Sequence, residues 1–275
     1  MPDGSTRPLN GIVFRAEQGP STVRSARYTL ELRPWFLRLD QERTCAVFQN
    51  MSVPEIVTKV CTDAGFGHIR NALSSTYPAK EYTVRYGETS FAFLSRLMAE
   101  AGIVYFFEHS GSAHTLVMAD SPDVFADCPQ GATLEWLPDA QDKEGGPPTE
   151  PSAHVFELSL SRQVAAASCS VDDYNPLTPE TSLAASAGEG FPCLGYPLAG
   201  HIDQQSGEGL AAIRLDACES GGFKLRGRSS CPGLSAGCAF AVKGHPDGQV
   251  NARWVATEVR FTASFPGDGT AETGR

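Results

Sequence analysis

The residue pattern that most resembles a catalytic site lies near the C-terminal end of the chain. Residues 233–237 read G-x-S-x-G, with Ser235 at the centre. In serine hydrolases this pattern forms a sharp turn between a strand and a helix that presents the serine as a nucleophile. Here Cys231-Pro232 precedes the pattern and the strand-like sequence AFAVKG follows it. We therefore predict a turn between two strands, and a hydrolase that uses Ser235 with a histidine is the alternative.

The histidines and cysteines do not follow metal-binding spacings. The 6 histidines include no HExxH or HxH pair, and the 8 cysteines include no CxxC. His109 and His114 flank Gly111, so we predict that both lie at the solvent end of a hairpin. For the cysteines we predict reduced, mostly buried thiols, with disulfides as the alternative if the protein leaves the cell.

The remaining polar residues give no pattern typical of an active site. Asp172 and Asp173 are adjacent, which in a strand places them on opposite faces. The glycines form neither a P-loop nor a dinucleotide-binding pattern. We therefore predict no catalytic residue, no cofactor-binding residue, no metal ligand and no cofactor, and we expect that the protein is not an enzyme.

The composition excludes two further classes of function. The 275 residues include 22 Lys and Arg against 32 Asp and Glu, a net charge of −10 that argues against nucleic-acid binding. The longest apolar runs, such as 103–107, are far shorter than the roughly 20 residues that a membrane helix needs. The first ten residues contain no apolar stretch typical of a secretory signal.

Short strands are the most frequent predicted element. In 27–32 (RYTLEL), Tyr28, Leu30 and Leu32 alternate with polar residues, which predicts a half-buried strand. Residues 138–153 have the composition of a linker, and the tail after 262 is small and polar, which predicts disorder. The other predicted strands are 11–16, 82–86, 103–107, 114–118, 155–160, 166–171, 222–228, 239–243 and 254–261.

Two helices interrupt the strands early in the chain. Ser52 and Glu55 form an S-x-x-E capping box, and Gly65 supplies a left-handed stop. A second helix is predicted over 90–101, with Phe91, Leu94, Leu97, Met98 and Ala101 on its buried side. A short helix is also predicted within 209–216. Many short strands with frequent turns favour barrels or sandwiches.

Several of these segments, in the same order, resemble VgrG proteins, the spikes of bacterial type VI secretion systems. The most specific are EYTVRYGETSFAFLSRLMAEAGIVYFFEH at 81–109 and HTLVMADS at 114–121. The segments 11–19 and 28–57 match as well. Weaker similarity follows at 173–175 with Pro179, at 196–197 and within 225–260. The resemblance runs from about residue 5 to residue 262.

The resemblance implies a mainly β, phage tail hub-like fold with a small helical insert and two β-barrel-type subdomains. On this basis we expect the remnant of a first barrel in 1–47 and a helix-containing α+β connecting region in 48–145. A second barrel would occupy 146–262, and 263–275 would be the disordered tail. Because two strands cannot close a barrel, the first would be incomplete, with open sheet edges.

The resemblance also implies a structural function. Three chains would form a ring of six barrels that caps a hexameric Hcp tube and helps to deliver effectors, with a separate needle or tip protein as a further partner. The chain would be made in the cytoplasm and exported by the type VI system without a signal peptide. It would be truncated at both ends, lacking the OB-fold and β-helix needle. A prophage tail hub or late-control protein is the alternative within this class.

Three positions depart from the family pattern. Ala92 stands where the second helix usually has an acid in its first turn, which weakens the support for the helix N-terminus. Pro176 replaces an aromatic residue and Leu194 replaces a tyrosine. These departures bear on assembly rather than on ancestry.

Overall fold

The computed structural model describes residues 7–21, 26–138, 153–197, 199–201 and 203–261. Within these residues short strands predominate and three α-helices are present. Most of the predicted linker at 138–153 and all of the predicted tail lie outside the described residues.

The chain begins with a sheet of two antiparallel strands, β1 (Ile12–Ser21) and β2 (Ala26–Arg33). Both strands were predicted. A 3₁₀ helix, Trp35–Asp40, follows directly and buries Trp35, Phe36 and Leu39.

Strands β3 (Arg43–Met51) and β5 (Lys80–Thr89) form a second antiparallel pair. The first helix lies between them in the sequence. That helix, α1 (Val53–Asp63), begins with the predicted capping box, in which the Ser52 amide donates to the Glu55 carboxylate at 2.8 Å. The hydrogen bond from the Ser52 amide also lowers the pKa of Glu55.

The second helix, α2 (Ser90–Glu100), starts where the sequence predicts. The Thr89 hydroxyl accepts the Ala92 amide at 3.1 Å, and the first turn has no acid. The predicted buried face needs one correction, because Phe93 is fully buried whereas Phe91 is only partly buried. Phe93 packs against Phe48 of β3, with ring centroids 5.4 Å apart.

A hairpin closes the helical region. Strands β6 (Val104–Ser110) and β7 (Ala113–Ala119) pair around Gly111, as predicted. Strand β4 (Ile69–Ala72), which the sequence analysis did not identify, pairs in parallel with β7. Helices α1 and α2, the 3₁₀ helix and this sheet share one apolar core.

The C-terminal part contains a five-stranded sheet in the order β13-β9-β8-β14-β15. The edge strands β13 and β15 approach each other, since the rings of Phe223 and Trp254 stack at 5.3 Å. The sheet is therefore curled, as in half of a barrel. The strands are β8 (Thr133–Trp136), β9 (His154–Arg162), β13 (Phe223–Ser229), β14 (Ala239–Lys243) and β15 (Arg253–Val255).

A smaller sheet and the third helix pack beside it. Strand β10 (Ser168–Asp172) lies between β11 (Ala185–Gly188) and β12 (Cys193–Pro197). Helix α3 (Gln204–Gly222) packs on this sheet and is much longer than the predicted 209–216. By contrast, β15 covers only two residues, 254 and 255, of the strand predicted over 254–261.

The mainly β fold class is confirmed. In the part of the chain that the structure describes, no helix is both long and apolar enough to cross a bilayer. The four domain ranges given above remain a prediction.

Candidate assembly surface

Ser235 lies in a turn between strands, as predicted. The turn joins β13 to β14, and the Ser235 amide donates to Cys238 Sγ at 3.3 Å. A strand rather than a helix follows the serine, so the strand-turn-helix geometry of a nucleophile elbow is not formed.

The two glycines of the G-x-S-x-G pattern have packing roles. A Cβ at Gly233 would lie well under 3 Å from the carbonyl oxygen of Pro129. Gly237 has φ +85° and lies against the ring of Phe106. Close packing and a left-handed backbone, both of which favour glycine, therefore account for the spacing of the pattern.

The positions of His109 and His114 correct the prediction that both are at a solvent end. The two residues pair across β6 and β7, but His114 is buried and its Nε2 accepts the Trp35 amide at 2.9 Å. Nδ1 of His109, which is partly buried, accepts the Asn10 amide at 3.0 Å. Burial lowers the pKa of both imidazoles, so the neutral rings act as acceptors that anchor neighbouring backbone.

Asp173 and His201 form the other polar group of interest. The Asp173 carboxylate accepts the His201 amide at 3.1 Å, and the His201 ring nitrogen Nδ1 lies 4.0 Å from it. The other ring nitrogen, Nε2, is 2.7 Å from the carbonyl oxygen of Leu183, where it can only donate. This arrangement fixes loops around β10 and β11. Asp172, the neighbouring acid, accepts the Asp173 amide at 2.9 Å.

A shallow groove of about 590 Å³ brings Ser235 and His109 to one surface, with Arg7 and Phe106 among its other lining residues. Its lining is mostly apolar, and the acceptor nitrogen of His109 is already bonded to Asn10. Across the described ranges, no group of three or more metal-ligating side chains could hold a metal ion.

We expect Ser235→Ala to leave ester hydrolysis unchanged. The reason is that the serine lies in a strand-to-strand turn and its amide is bonded to Cys238. Hydrolysis of a short-chain nitrophenyl ester by the wild-type chain and by the variant is the measurement. A loss of turnover in Ser235→Ala, with the wild-type level kept in Ser230→Ala, would restore the hydrolase alternative.

The most unusual surface of the chain is one face of the β1–β2 sheet. Val13 pairs with Leu32, Ala16 with Leu30, and Gln18 with Tyr28. The four large apolar side chains of this face are each 56–65% exposed. The predicted alternation is therefore present, but the prediction of a half-buried strand is wrong within the described structure. We name this set, Val13, Tyr28, Leu30 and Leu32, the hairpin face.

The opposite face of the same sheet is more polar, and its exposed ring, Phe14, lies under the Arg33 guanidinium at 4.8 Å. Arg15 forms an ion pair with Glu17 at 2.8 Å, and Arg33 pairs with Glu31. One side of the sheet is thus suited to water and the other is not, as in a sheet whose apolar side packs on a partner.

The β3–β5 sheet has a second uncovered apolar face. Phe48 and Thr83 pair on its buried side, whereas Val47 and Val84 pair on the outside. Tyr86 on that outside is 83% exposed. The alternation in 82–86 was predicted, but the outward orientation of its apolar positions was not. We name Val47, Tyr82, Val84 and Tyr86 the outer face.

Two such faces have a clear physical meaning. Contiguous exposed apolar surface on a folded protein marks a site of association. Full burial of one large apolar side chain contributes about 1.5–3 kcal/mol. The eight side chains of the two faces are 37–83% exposed, so covering each of them contributes a part of that amount. The arrangement suits assembly through sheet faces better than it suits binding of a small molecule.

The fold and these faces define a β-rich protein of the phage tail hub type. A solved component of the Escherichia coli type VI secretion system, c3393, described as structurally similar to bacteriophage T4 tail proteins gp27 and gp5, matches with TM-score 0.61 and 22% identity. The match covers 86% of this chain and 50% of c3393. A tail protein from Neisseria meningitidis gives TM-score 0.61 at 17% identity, covering 89% and 72%.

A sequence model of the phage tail baseplate hub (GPD) family matches residues 1–267. The chain belongs to this family.

Its relatives include spike proteins of type VI secretion systems. VgrG1b of Pseudomonas aeruginosa is 32% identical over 266 residues, which are 94% of this chain and 35% of VgrG1b. VgrG1a of the same organism is 32% identical over 274 residues, covering 95% and 41%. The chain thus spans 35–41% of the length of these relatives.

Proposed function

We propose that this chain is the trimeric hub of a type VI secretion spike. The observation that carries the proposal is the pair of uncovered apolar faces, the hairpin face and the outer face, on a hub-type fold. The 32% identity to VgrG1b over nearly the whole chain supports the type VI assignment.

Apolar sheet faces favour copies of the same chain as partners. Strands with unpaired edges and bare faces are an aggregation risk when they are exposed, and a closed symmetric ring covers them in a fixed number of copies. Threefold closure is the symmetry that the resemblance to VgrG proteins implies.

The proposed partners follow from the same role. The hub caps a hexameric Hcp tube on one side, adjoins the needle or tip of the spike on the other, and helps to deliver effectors. It is made in the cytoplasm and exported by the type VI machinery. Its work is structural rather than enzymatic.

A prophage tail hub or late-control protein is the second candidate. The family model and the similarity to the Neisseria tail protein favour it. The higher identity to spike proteins favours the type VI assignment. Cross-linking of the purified chain to purified Hcp, with a phage tail tube protein in a parallel reaction, separates the two candidates.

The trimer is tested by placing a charge on the hairpin face. We expect Leu30→Lys to shift the chain from trimer to monomer in sedimentation velocity, because assembly would bury the lysine without a partner. Thr29→Lys adds the same charge to the polar face, opposite Glu17, and is expected to remain trimeric. A monomeric wild-type chain, or equal behaviour of the two variants, would contradict the proposal.

A further inference from the structure

Three cysteines that the proposed function does not use meet in one apolar core. Cys128, Cys231 and Cys238 are 2%, 4% and 7% exposed, and they pack with Leu134 and Val155. The Sγ atoms of Cys128 and Cys231 are 3.9 Å apart. Residues far apart in the sequence thus place two thiols in direct contact.

The backbone holds Cys128 in this place. Its amide donates to the carbonyl of Ala239 at 2.7 Å, and the Ala239 amide donates to Ala126 at 2.8 Å. This short ladder fixes the segment before β8 against the start of β14. On the other side, the Cys231 amide donates to the Ser229 hydroxyl at 3.0 Å.

Two glycines make the room that the sulfur atoms occupy. A Cβ at Gly131 would lie well under 3 Å from Cys231 Sγ and 3.2 Å from Cys128 Sγ. A Cβ at Gly233 would lie 3.4 Å from Cys128 Sγ. Each of the two turns therefore has a glycine, with no side chain, where it faces the thiol pair.

The hydrogen bonds give the two thiols different characters. The two Sγ atoms lie within hydrogen-bonding distance of each other, and each thiol also has a carbonyl acceptor, that of Pro129 at 3.6 Å for Cys128 and that of Gln130 at 3.8 Å for Cys231. The contact with Cys128 and the amides of Gly233 and Leu234 lower the pKa of Cys231. The bonds from Cys128 to Cys231 and to Cys238 raise the pKa of Cys128. The contact with Cys128 lowers the pKa of Cys238 as well, so the 3.9 Å distance between the Sγ atoms is what identifies Cys231 as the partner of Cys128.

We propose that Cys128 and Cys231 form an oxidisable dithiol site that hydrogen peroxide converts into an intrachain disulfide. The inference concerns this chain alone and is independent of the proposed spike function. The disulfide requires the sulfurs to approach from 3.9 Å to about 2.05 Å, by side-chain rotation within the pocket.

The reaction has two balanced steps. The Cys231 thiolate attacks one peroxide oxygen, the S–O bond forms, the O–O bond breaks, and the released hydroxide takes a proton to become water. The Cys128 sulfur then attacks the sulfenic sulfur of Cys231, the S–S bond forms, the S–O bond breaks, and hydroxide leaves as water with the second thiol proton. Two thiols are oxidised and one peroxide is reduced to two waters.

The bond would join positions 103 residues apart. Closing so long a loop restricts the unfolded chain strongly. Oxidation is therefore expected to raise the Tm by several degrees, and dithiothreitol is expected to reverse the change.

The experiment uses the full chain with the exposed Cys45 and Cys193 replaced by serine, which removes the exposed thiols most open to bonds between chains. Titration of thiols in denaturant after peroxide treatment is expected to fall from six to four per chain. Trypsin leaves Cys128 in peptide 97–143, and Cys231 and Cys238 together in 229–243. Fragmentation of the linked peptide therefore assigns the partner cysteine.

Cys128→Ala and Cys231→Ala are the test variants, and Cys169→Ala, at a buried cysteine of another core cluster, is the matched control. We expect the control to lose two thiols as quickly as the chain with only Cys45 and Cys193 replaced. Cys231→Ala is expected to keep its thiols, and Cys128→Ala to lose at most one, as a sulfenic acid at Cys231 with no linked peptide, while circular dichroism shows both variants folded. If one variant does not fold, the thiol count of the other variant and the identity of the linked peptide test the assignment. The assignment would be overturned if the chain with only Cys45 and Cys193 replaced kept all six thiols after peroxide treatment, or if the link mapped to Cys238.

Discussion

Replacing Phe36 with alanine is expected to lower the free energy of unfolding by about 3–5 kcal/mol, the usual cost of removing a fully buried phenylalanine. Phe36 is 1% exposed. Its ring meets those of Trp35, Phe91 and Tyr105 edge to face, with centroid distances of 5.9, 5.3 and 5.0 Å. The variant loses these contacts and leaves a cavity that rigid neighbours cannot fill.

Urea denaturation followed by tryptophan fluorescence measures this effect, because Trp35 lies in the same core. Phe191→Ala is the matched control, since that ring is 90% exposed, and its expected change is within about 0.5 kcal/mol. Equal destabilisation by the two substitutions would show that the aromatic cluster around the 3₁₀ helix does not stabilise the fold.

Gly233→Ala is expected to destabilise the chain by about 3 kcal/mol, at the upper end of the cost of overpacking. The added methyl group would collide with the carbonyl oxygen of Pro129, which is backbone and cannot rotate away as a side chain can. Relief therefore requires separation of two turns, one before β8 and one before β14, and both strands belong to the five-stranded sheet.

The control for this substitution is Gly248→Ala. A Cβ there meets no atom within 4 Å, and the residue is exposed. We expect a change within about 1 kcal/mol of either sign. Thermal unfolding of both variants provides the comparison, and a Gly233→Ala protein as stable as the wild type would refute the packing role assigned to this glycine.

Local signals in the sequence were sufficient where the chemistry is local. The capping box of Ser52 and Glu55 and the turn at Gly111 act within a few residues, so the first helix and the β6–β7 hairpin could be predicted. The resemblance to VgrG proteins added the hub-type fold, which periodicity alone left among barrels and sandwiches.

Elements that depend on distant partners could not be predicted in the same way. Helix α3 contains four glycines, which have low helix propensity, yet it extends over 19 residues. Asp203 caps its start, and Ala211 and Leu215 pack on the β10 sheet. Strand β8 has only four residues and is defined by its neighbours.

The candidate assembly surface could likewise be predicted only in part. Alternation in β2 and β5 predicted which residues share a face, because that depends only on the period of a strand. Whether a face is covered depends on what lies beside it, so the exposure of Leu30 and Tyr86 needed the structure. The contact of Cys128 with Cys231 joins residues 103 positions apart and leaves no spacing signal.

The position of β8 has a consequence for synthesis on the ribosome. This strand pairs in parallel with β9, and also with β14 over Ala241–Lys243. The core around Trp35 uses residues no later than Met118 among its buried members, so it can form early in translation. The five-stranded sheet has to wait until residue 255, the end of β15, has left the exit tunnel. Its high contact order makes this the slow stage of folding, when a nascent chain depends most on chaperones.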